Sequence, residues 1–395
     1  MHIHIPPSVL HAIQSLNDAG YEAYIVGGCV RDSLMGKSPV DWDITTSALP
    51  EQTNKVFADH RTIDTGMRHG TVTVITEDMP LEITTYRVDG AYSDGRHPDA
   101  VTFTPSLKED LRRRDFTVNA MAYHPKHGIV DCHGGQADIR NRIIRCVGDP
   151  EERFREDALR ILRALRFAAV LGFHIESETA NAVHKFSTHL RNVSIERITA
   201  EFKRLICADG AIQIMDAFRD VMSIFLPEMT FCDDFSLLSR VPETLHVRLA
   251  ALFYSADIAP DTAVGMLERM RFDRRTIQNV LLLLSFRVDD LLTEKQYFLR
   301  LLNYLGPELI FDYLALKEAD PHTVSRAKEL LTQNPCYKTS MLAINGNDLL
   351  DLGIPAGPEV GAIMSDLLNA VINGACINEK DALLSYLITM KKPVQ

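Results

Sequence analysis

Ala23-Tyr24-Ile25-Val26-Gly27-Gly28-Cys29-Val30-Arg31-Asp32, followed nine residues later by Asp41-Trp42-Asp43-Ile44-Thr45-Thr46, decides the fold class. The first four residues are aromatic and aliphatic and read as a strand. The two glycines break it, and Val30 to Leu34 opens a helix. A second strand over Ile44 to Thr46 follows Asp41-Trp42-Asp43. Further short β-rich runs, Thr71 to Thr76 and Leu81 to Tyr86, alternate with helical stretches. One of these carries Val9, Leu10, Ile13 and Leu16 between Pro7 and Gly20, and another opens at Pro50-Glu51. That alternation makes the first 147 or so residues a mixed α/β domain. Beyond about residue 150 the period is helical, as in Ala158 to Leu165, Val280 to Leu284 and Leu299 to Leu305, with no fixed repeat. The expected class is α+β, a mixed head followed by an all-α remainder.

Composition narrows the function. The chain has 395 residues, 46% hydrophobic and 24% charged, which suits two to three globular domains and excludes disordered and collagenous classes. The apolar run at Val280 to Phe286 is far below the roughly 18 residues of a membrane span. The N-terminus has no basic n-region or continuous apolar run, so a cytosolic location is expected. Seven scattered cysteines, none in Cys-x-x-Cys spacing, argue against a disulfide framework and a zinc ribbon. Net charge is -11, which by itself speaks against a nucleic-acid partner. Residues 111 to 170 invert that balance with twelve Lys and Arg against eight Asp and Glu.

Four constellations carry chemistry. Gly27-Gly28 at a strand-to-helix turn lets backbone N–H groups approach phosphate oxygens, although two glycines can equally be only a turn. Asp41 and Asp43, two apart on a strand, point to one face where carboxylates can converge on Mg2+, with Trp42 turned into the core. A solvated strand face is the plainer reading. Glu82, between Leu81 and Ile83, is either a third carboxylate beside them or a solvent-facing position. Arg112-Arg113-Arg114 ahead of Asp115-Phe116-Thr117-Val118-Asn119-Ala120 suits a triphosphate, because planar guanidinium forks hold phosphate bidentately. Phe116, Val118, Ala120 and Met121 look buried, so at least one of these arginines should lie near the core. The last set reads as one helix on which Asp157, Arg160, Arg163 and Arg166 follow an i, i+3 ridge. A salt-bridged exposed face is the alternative.

In this order the motifs closely resemble those of the class II CCA-adding enzymes, the bacterial tRNA nucleotidyltransferases whose family also includes the bacterial poly(A) polymerases. The resemblance rests on Gly-Gly-x-Val-Arg-Asp at 27 to 32, Asp-x-Asp at 41 to 43 and Arg-Arg-Asp-Phe-Thr-x-Asn-Ala at 113 to 120. It continues through Asp131 to Asp138 with Gly134-Gly135, Glu-Asp-x-x-Arg at 156 to 160, and Glu196-Arg197 to Glu201. It implies a catalytic head over 1 to 148, a nucleotide-selecting neck over 149 to 230, a body over 231 to 335 and a tRNA-binding tail over 336 to 395. Asp41 and Asp43 would be Mg2+ ligands, with Glu82 beside them in catalysis. Gly27, Gly28, Arg31 and Arg114 would contact the triphosphate, and Arg163 and Arg166 would approach the nucleotide from the neck. Asp157 and Arg160 match the pair that reads the base.

The implied reaction is template-independent addition of C, C and A to the 3′ end of tRNA from CTP and ATP, with pyrophosphate released. Cytosine N4 and adenine N6 donate to a carboxylate, and cytosine N3 and adenine N1 accept from a guanidinium. Uracil and guanine would set a carbonyl oxygen against the carboxylate, a buried mismatch costing several kcal/mol. The chain has no His-Asp dipeptide, so an attached phosphohydrolase is not expected. Tyr86 to Phe103 resembles the flexible loop that full CCA-adding members keep. A poly(A) polymerase, an A-adding or a CC-adding enzyme, and a non-catalytic tRNA-binding protein are the rivals. A basic track at Arg269, Arg271, Arg274 and Arg275 would suit tRNA, or be an ordinary solvated helix face.

Overall fold

The computed structural model describes residues 3–90, 101–231, 234–286 and 294–390. The chain packs into two units, Met1–Phe231 and Cys232–Gln395. The Tyr86 to Phe103 loop of the sequence reading falls largely on residues 91–100, outside the described residues. Its flanks, Arg87–Asp89 and Val101–Phe103, pair antiparallel as β6 and β7 below. Among the described residues no helix is long and apolar enough to cross a membrane.

The first unit runs α1 (Pro7–Asp18), β1 (Ala23–Val26), α2 (Gly28–Leu34), β2 (Asp43–Thr46), α3 (Pro50–Val56), β3 (Arg61–Ile63), β4 (Thr71–Ile75), β5 (Pro80–Thr85), β6 (Arg87–Asp89) and β7 (Val101–Phe103). It continues with α4 (Leu107–Arg112), β8 (Met121–His124), β9 (Gly128–Asp131), α5 (Gly135–Asn141), β10 (Ile143–Ile144), α6 (Pro150–Glu156), α7 (Leu159–Leu171) and β11 (His174–Ile175). Four helices close it: α8 (Ser177–Phe186), α9 (Ile195–Ile206), α10 (Ala211–Ala217) and α11 (Arg219–Met222).

A seven-stranded sheet in the order β3-β4-β5-β2-β1-β8-β9 organises the head. Its register places the chemistry. Val26, just before the glycine turn, faces Asp43 across the antiparallel β1–β2 pair. The parallel β2–β5 pair sets Asp43 opposite Glu82. The period of two then divides residues 41–44 and β5. Trp42, Ile44, Leu81 and Ile83 enter the core with Val9, Ile13 and Leu16 of α1, while Asp41, Asp43 and Glu82 stay exposed. Each fully buried aliphatic side chain in that cluster is worth about 1.5–3 kcal/mol, so a one-residue slip that exposed them is strongly disfavoured.

The helical part of this unit departs from the expected continuous helix. The helix breaks at Asp157, whose backbone is extended at φ -143 and ψ 104, and α7 starts afresh at Leu159. Asp157 is therefore not on a common ridge with Arg160, Arg163 and Arg166. Its Oδ1 instead accepts from the Leu159 N–H at 3.0 Å, closing the start of α7.

The second unit is helical in its described residues: α12 (Leu245–Ser255), α13 (Pro260–Arg269), α14 (Arg274–Ser285), α15 (Glu294–Leu305), α16 (Ile310–Leu316), α17 (Pro321–Thr332), α18 (Gly346–Asp351), α19 (Pro358–Ile372) and α20 (Lys380–Met390). Leu249 to Phe253 of α12 and Val280 and Leu283 of α14 are buried in it. Phe286 lies 5.3 to 6.2 Å from the rings of Tyr297, Tyr304 and Tyr313. Together the units confirm the α+β class, a mixed-sheet head joined to helices.

Candidate active site

The turn after β1 decides what can approach the sheet edge. Gly27 has φ +80, a conformation costly for any residue with a Cβ. A Cβ there would lie 3.4 Å from Arg114 Nη1 and 3.9 Å from Asp43 Oδ2. The missing side chain thus leaves a gap with an acid on one side and a guanidinium on the other. Asp41, Asp43 and Glu82 crowd the acidic side. Partial desolvation and then the Glu82 charge push the Asp43 carboxyl up, Arg114 draws it down, and Asp41 raises it further. Arg114 is the positive charge that opposes this build-up at Asp43.

Arg114 is held from behind. Asp110, fully buried on α4, accepts from Arg114 Nη2 at 3.2 Å, from Arg113 Nε at 2.9 Å and from Thr45 Oγ1 at 3.2 Å. Burial works against the Asp110 charge, and the two arginines more than offset it, holding the carboxyl below its ordinary range. Arg114 Nε is buried without a hydrogen-bond partner among the described residues, a donor left for a ligand. The expectation that an arginine of this run sits near the core holds for Arg113 and Arg114, with Phe116, Val118, Ala120 and Met121 all fully buried beside them.

Arg31 comes from α2 into the same region. It donates from Nη1 to Asn119 Oδ1 at 2.7 Å and from Nε to Asp32 at 2.8 Å. Gly28 lies against it, its Cβ position 3.6 Å from Arg31 Nη2. Asn119 also donates to Asp115 Oδ1 at 3.4 Å, and Asp115 Oδ2 receives Arg163 through Nε at 2.8 Å and Nη2 at 2.5 Å. Desolvation opposes the Asp115 charge, but Arg163 and then Arg160 outweigh it and bring the carboxyl down to about 2.

The remaining expected residues are placed on or just before α7. Arg160 is 8% exposed; it bonds Glu156, the Arg153 carbonyl at 3.2 Å and the Arg113 carbonyl at 3.4 Å. Asp157 Oδ2 accepts from Arg197 Nη2 at 2.7 Å. Arg166 turns to Glu201, 2.5 Å from its Nε. The structure thus gathers Asp41, Asp43, Glu82, Gly27 and Arg114 at one end of the sheet. It ties Arg31 to Arg163 through Asn119 and Asp115. Asp157 and Arg160 it seats in separate ion pairs. Reading the sequence singled out none of Asp110, Asn119, Asp115 or Arg197 as a site residue. The available signal was the placing of Asp110 three and four residues before Arg113 and Arg114, which puts them within ion-pair reach on a helical turn.

A mixed sheet with paired carboxylates at a strand head, a glycine turn and an arginine-fed helix defines a nucleotidyltransferase head. Residues 23–145 match the family model of the Poly A polymerase head domain, and residues 242–387 match that of tRNA nucleotidyltransferase domain 2. Residues 172–232 match a model described as "Probable RNA and SrmB- binding site of polymerase A". The chain is 37% identical to the CCA-adding enzyme of Leuconostoc mesenteroides over 95% of its own length and 94% of that protein. It is 36% identical to that of Enterococcus faecalis over 95% and 93%. The Bacillus stearothermophilus CCA-adding enzyme solved with CTP superposes with TM-score 0.82 at 32% identity, over 98% of both chains. The chain belongs to the CCA-adding enzyme family.

Proposed function

We propose that this chain adds C, C and A in turn to the 3′ end of tRNA, drawing on CTP and ATP and releasing pyrophosphate, in the cytosol. The observation that carries the reading is the gap at Gly27, with Asp43 on one side and Arg114, with its unpartnered Nε, on the other. A guanidinium facing a carboxylate across bare backbone is the polarity that suits phosphate oxygens bound beside acidic metal ligands.

The donor set suits Mg2+. Among the described residues no three His, Cys, Asp or Glu side chains form a ready-made chelating cluster. Mg2+ is commonly held by one or two carboxylates together with substrate phosphates, which is what Asp41 and Asp43 offer. Bound there, Mg2+ would lower the pKa of the tRNA 3′-hydroxyl and offset charge building on the α-phosphate. The protein's own contribution is placement. Arg114 and Arg31 draw the triphosphate into line, and Glu82 keeps the acidic side negative.

Base choice falls to Asp157 and Arg160. Each carboxylate oxygen of Asp157 has a second lone pair beyond those given to Leu159 N–H and Arg197, so it can accept the amino group of cytosine or adenine. Glu156 and two backbone carbonyls fix the plane of Arg160, which donates to cytosine N3 or adenine N1. Arg269, Arg271, Arg274 and Arg275 are all exposed, as a track for the RNA backbone requires.

The test incubates the purified protein and Mg2+ with tRNA ending before its CCA, offers CTP, ATP or both, and sequences the 3′ ends. Terminal CCA with the mixture and CC with CTP alone support the proposal. Long adenosine tails, CC alone with the mixture, or A only on a supplied CC end would each replace it with another family activity. No incorporation would leave a tRNA-binding role.

A further inference from the structure

Phe167 stands where three guanidiniums meet. Arg166 Cζ lies 3.9 Å from the centre of its ring, and Arg31 and Arg163 Cζ each 5.3 Å. Arg163, Arg166 and Phe167 share one face of α7 by their i, i+3, i+4 spacing, whereas Arg31 arrives from α2, more than 130 residues earlier. Phe116 meets the ring at 76°, with 5.7 Å between centroids, and the residue is only 7% exposed, so the ring is fixed.

Three cations around one ring repel one another, and each has its own counter-charge. Asp32 serves Arg31 at 2.8 Å, Asp115 serves Arg163 at 2.5 Å, and Glu201 serves Arg166 at 2.5 Å. The carboxylates therefore explain the neutrality of the set but not its gathering, since three separate pairs would be equally neutral and less repulsive. An aromatic ring supplies the missing term. Its negative face attracts guanidinium groups and packs flat against them, while their in-plane N–H donors stay directed outward.

We propose that Phe167 is a positioning residue that holds Arg31, Arg163 and Arg166 as one set for the phosphates of the incoming nucleotide. The inference rests on the proposed nucleotidyl transfer and deepens it, because the ring joins a head arginine to two arginines of α7. The triphosphate is common to both nucleotides, so the ring acts on CTP and ATP alike and leaves the choice of base to Asp157 and Arg160.

F167L keeps an apolar side chain of similar bulk without the ring, and F167Y keeps the ring. Steady-state incorporation of CMP and AMP, equilibrium CTP binding and inhibition by pyrophosphate are measured on both. The expected result for F167L is a KM and CTP Kd raised about ten-fold, in parallel for CTP and ATP. Weaker pyrophosphate inhibition, a kcat within about two-fold and an unchanged CTP-to-UTP preference go with it. F167Y should restore the affinity. A second pair keeps the test decisive if Leu loosens the core: F167L should cost much less in an R31K background than alone, since the two then share one effect. Unchanged affinity in F167L, equal loss in F167L and F167Y, or strictly additive losses with R31K would overturn the role of the ring. Failure of the underlying reading shows differently, as absence of incorporation by the wild-type chain.

Discussion

Replacing Asp115 by Asn removes one charge from the contact between the head and α7 and keeps the side chain's shape. Asp115 is held at about 2 by Arg163 and Arg160 against burial, while an unfolded Asp titrates near 3.9. A folded carboxyl below its unfolded value stabilises the fold fully above the unfolded pKa, and that stabilisation fades as pH falls towards the folded one. The contribution is about 2.5 kcal/mol at pH 7 and about half that at pH 3. In D115N the new amide also turns N–H groups towards Arg163, adding to the loss. The chain provides its own probe, because its single tryptophan, Trp42, is 6% exposed in the head core. Urea unfolding followed by Trp42 fluorescence should show D115N less stable by about 2.5 kcal/mol or more at pH 7, with the gap narrowing at pH 3. Equal stability at pH 7, or a gap that does not change with pH, would refute the ion-pair account.

Asp43→Ala should abolish incorporation while leaving far-UV circular dichroism unchanged; normal turnover would remove Asp43 from the metal site. Asp157→Ala takes away the acceptor for the base amino group. Discrimination of CTP and ATP against UTP and GTP should then fall by at least about ten-fold, and an intact preference in competition assays would reject the base-reading role. Gly27→Ala forces a Cβ into φ +80 and within 3.4 Å of Arg114 Nη1. A stability loss of about 1–2 kcal/mol and weaker nucleotide binding are expected, the first read by thermal unfolding and the second by CTP titration. An unaltered CTP affinity would mean that the gap is not where phosphate sits.

Strands that are β-rich runs between Gly, Pro and Asp punctuation were legible. β1 matches its expected span, β2 and β4 differ by one residue at one end, and β5 is shifted by one residue. Other strands were not. Met121–His124 is buried on both faces and follows an arginine run, so it carried no period of two, and only Pro125 and Gly128 after it mark a turn. Arg61–Ile63 has three residues and an exposed, polar end, too short for any period. At the site, residue types and spacing pointed to Asp41 and Asp43, two apart on one strand, whereas Glu82 and the glycine turn join them only through the β2–β5 and β1–β2 pairings. The buried arginines were a different matter. Arg160 and Arg166 are each 8% exposed, and a charged i, i+3 pattern ordinarily marks a solvated face. What permits their burial is Glu156 from α6 and Glu201 from α9, partners that a helical wheel of α7 does not contain.

The break at Asp157 shows the same cause acting on the backbone. Glu156-Asp157-Ala158 carries no Gly or Pro, and local propensity would run one helix from Pro150 to Leu171 at a cost of only tenths of a kcal/mol for the Asp. The interruption is settled by contacts: Leu159 N–H on one oxygen and Arg197, forty residues away, on the other. A continuous helix would forgo the Leu159 cap and leave Arg197 without its partner, at about 1.5–3 kcal/mol for a hydrogen bond between charged groups. Tertiary pairing therefore outweighs propensity here. The outcome is a carboxylate anchored through both oxygens on extended backbone, with one lone pair on each still open. For a group proposed to tell an amino from a carbonyl, that rigidity is what matters, since a carboxylate free to swing away from uracil O4 would tolerate it.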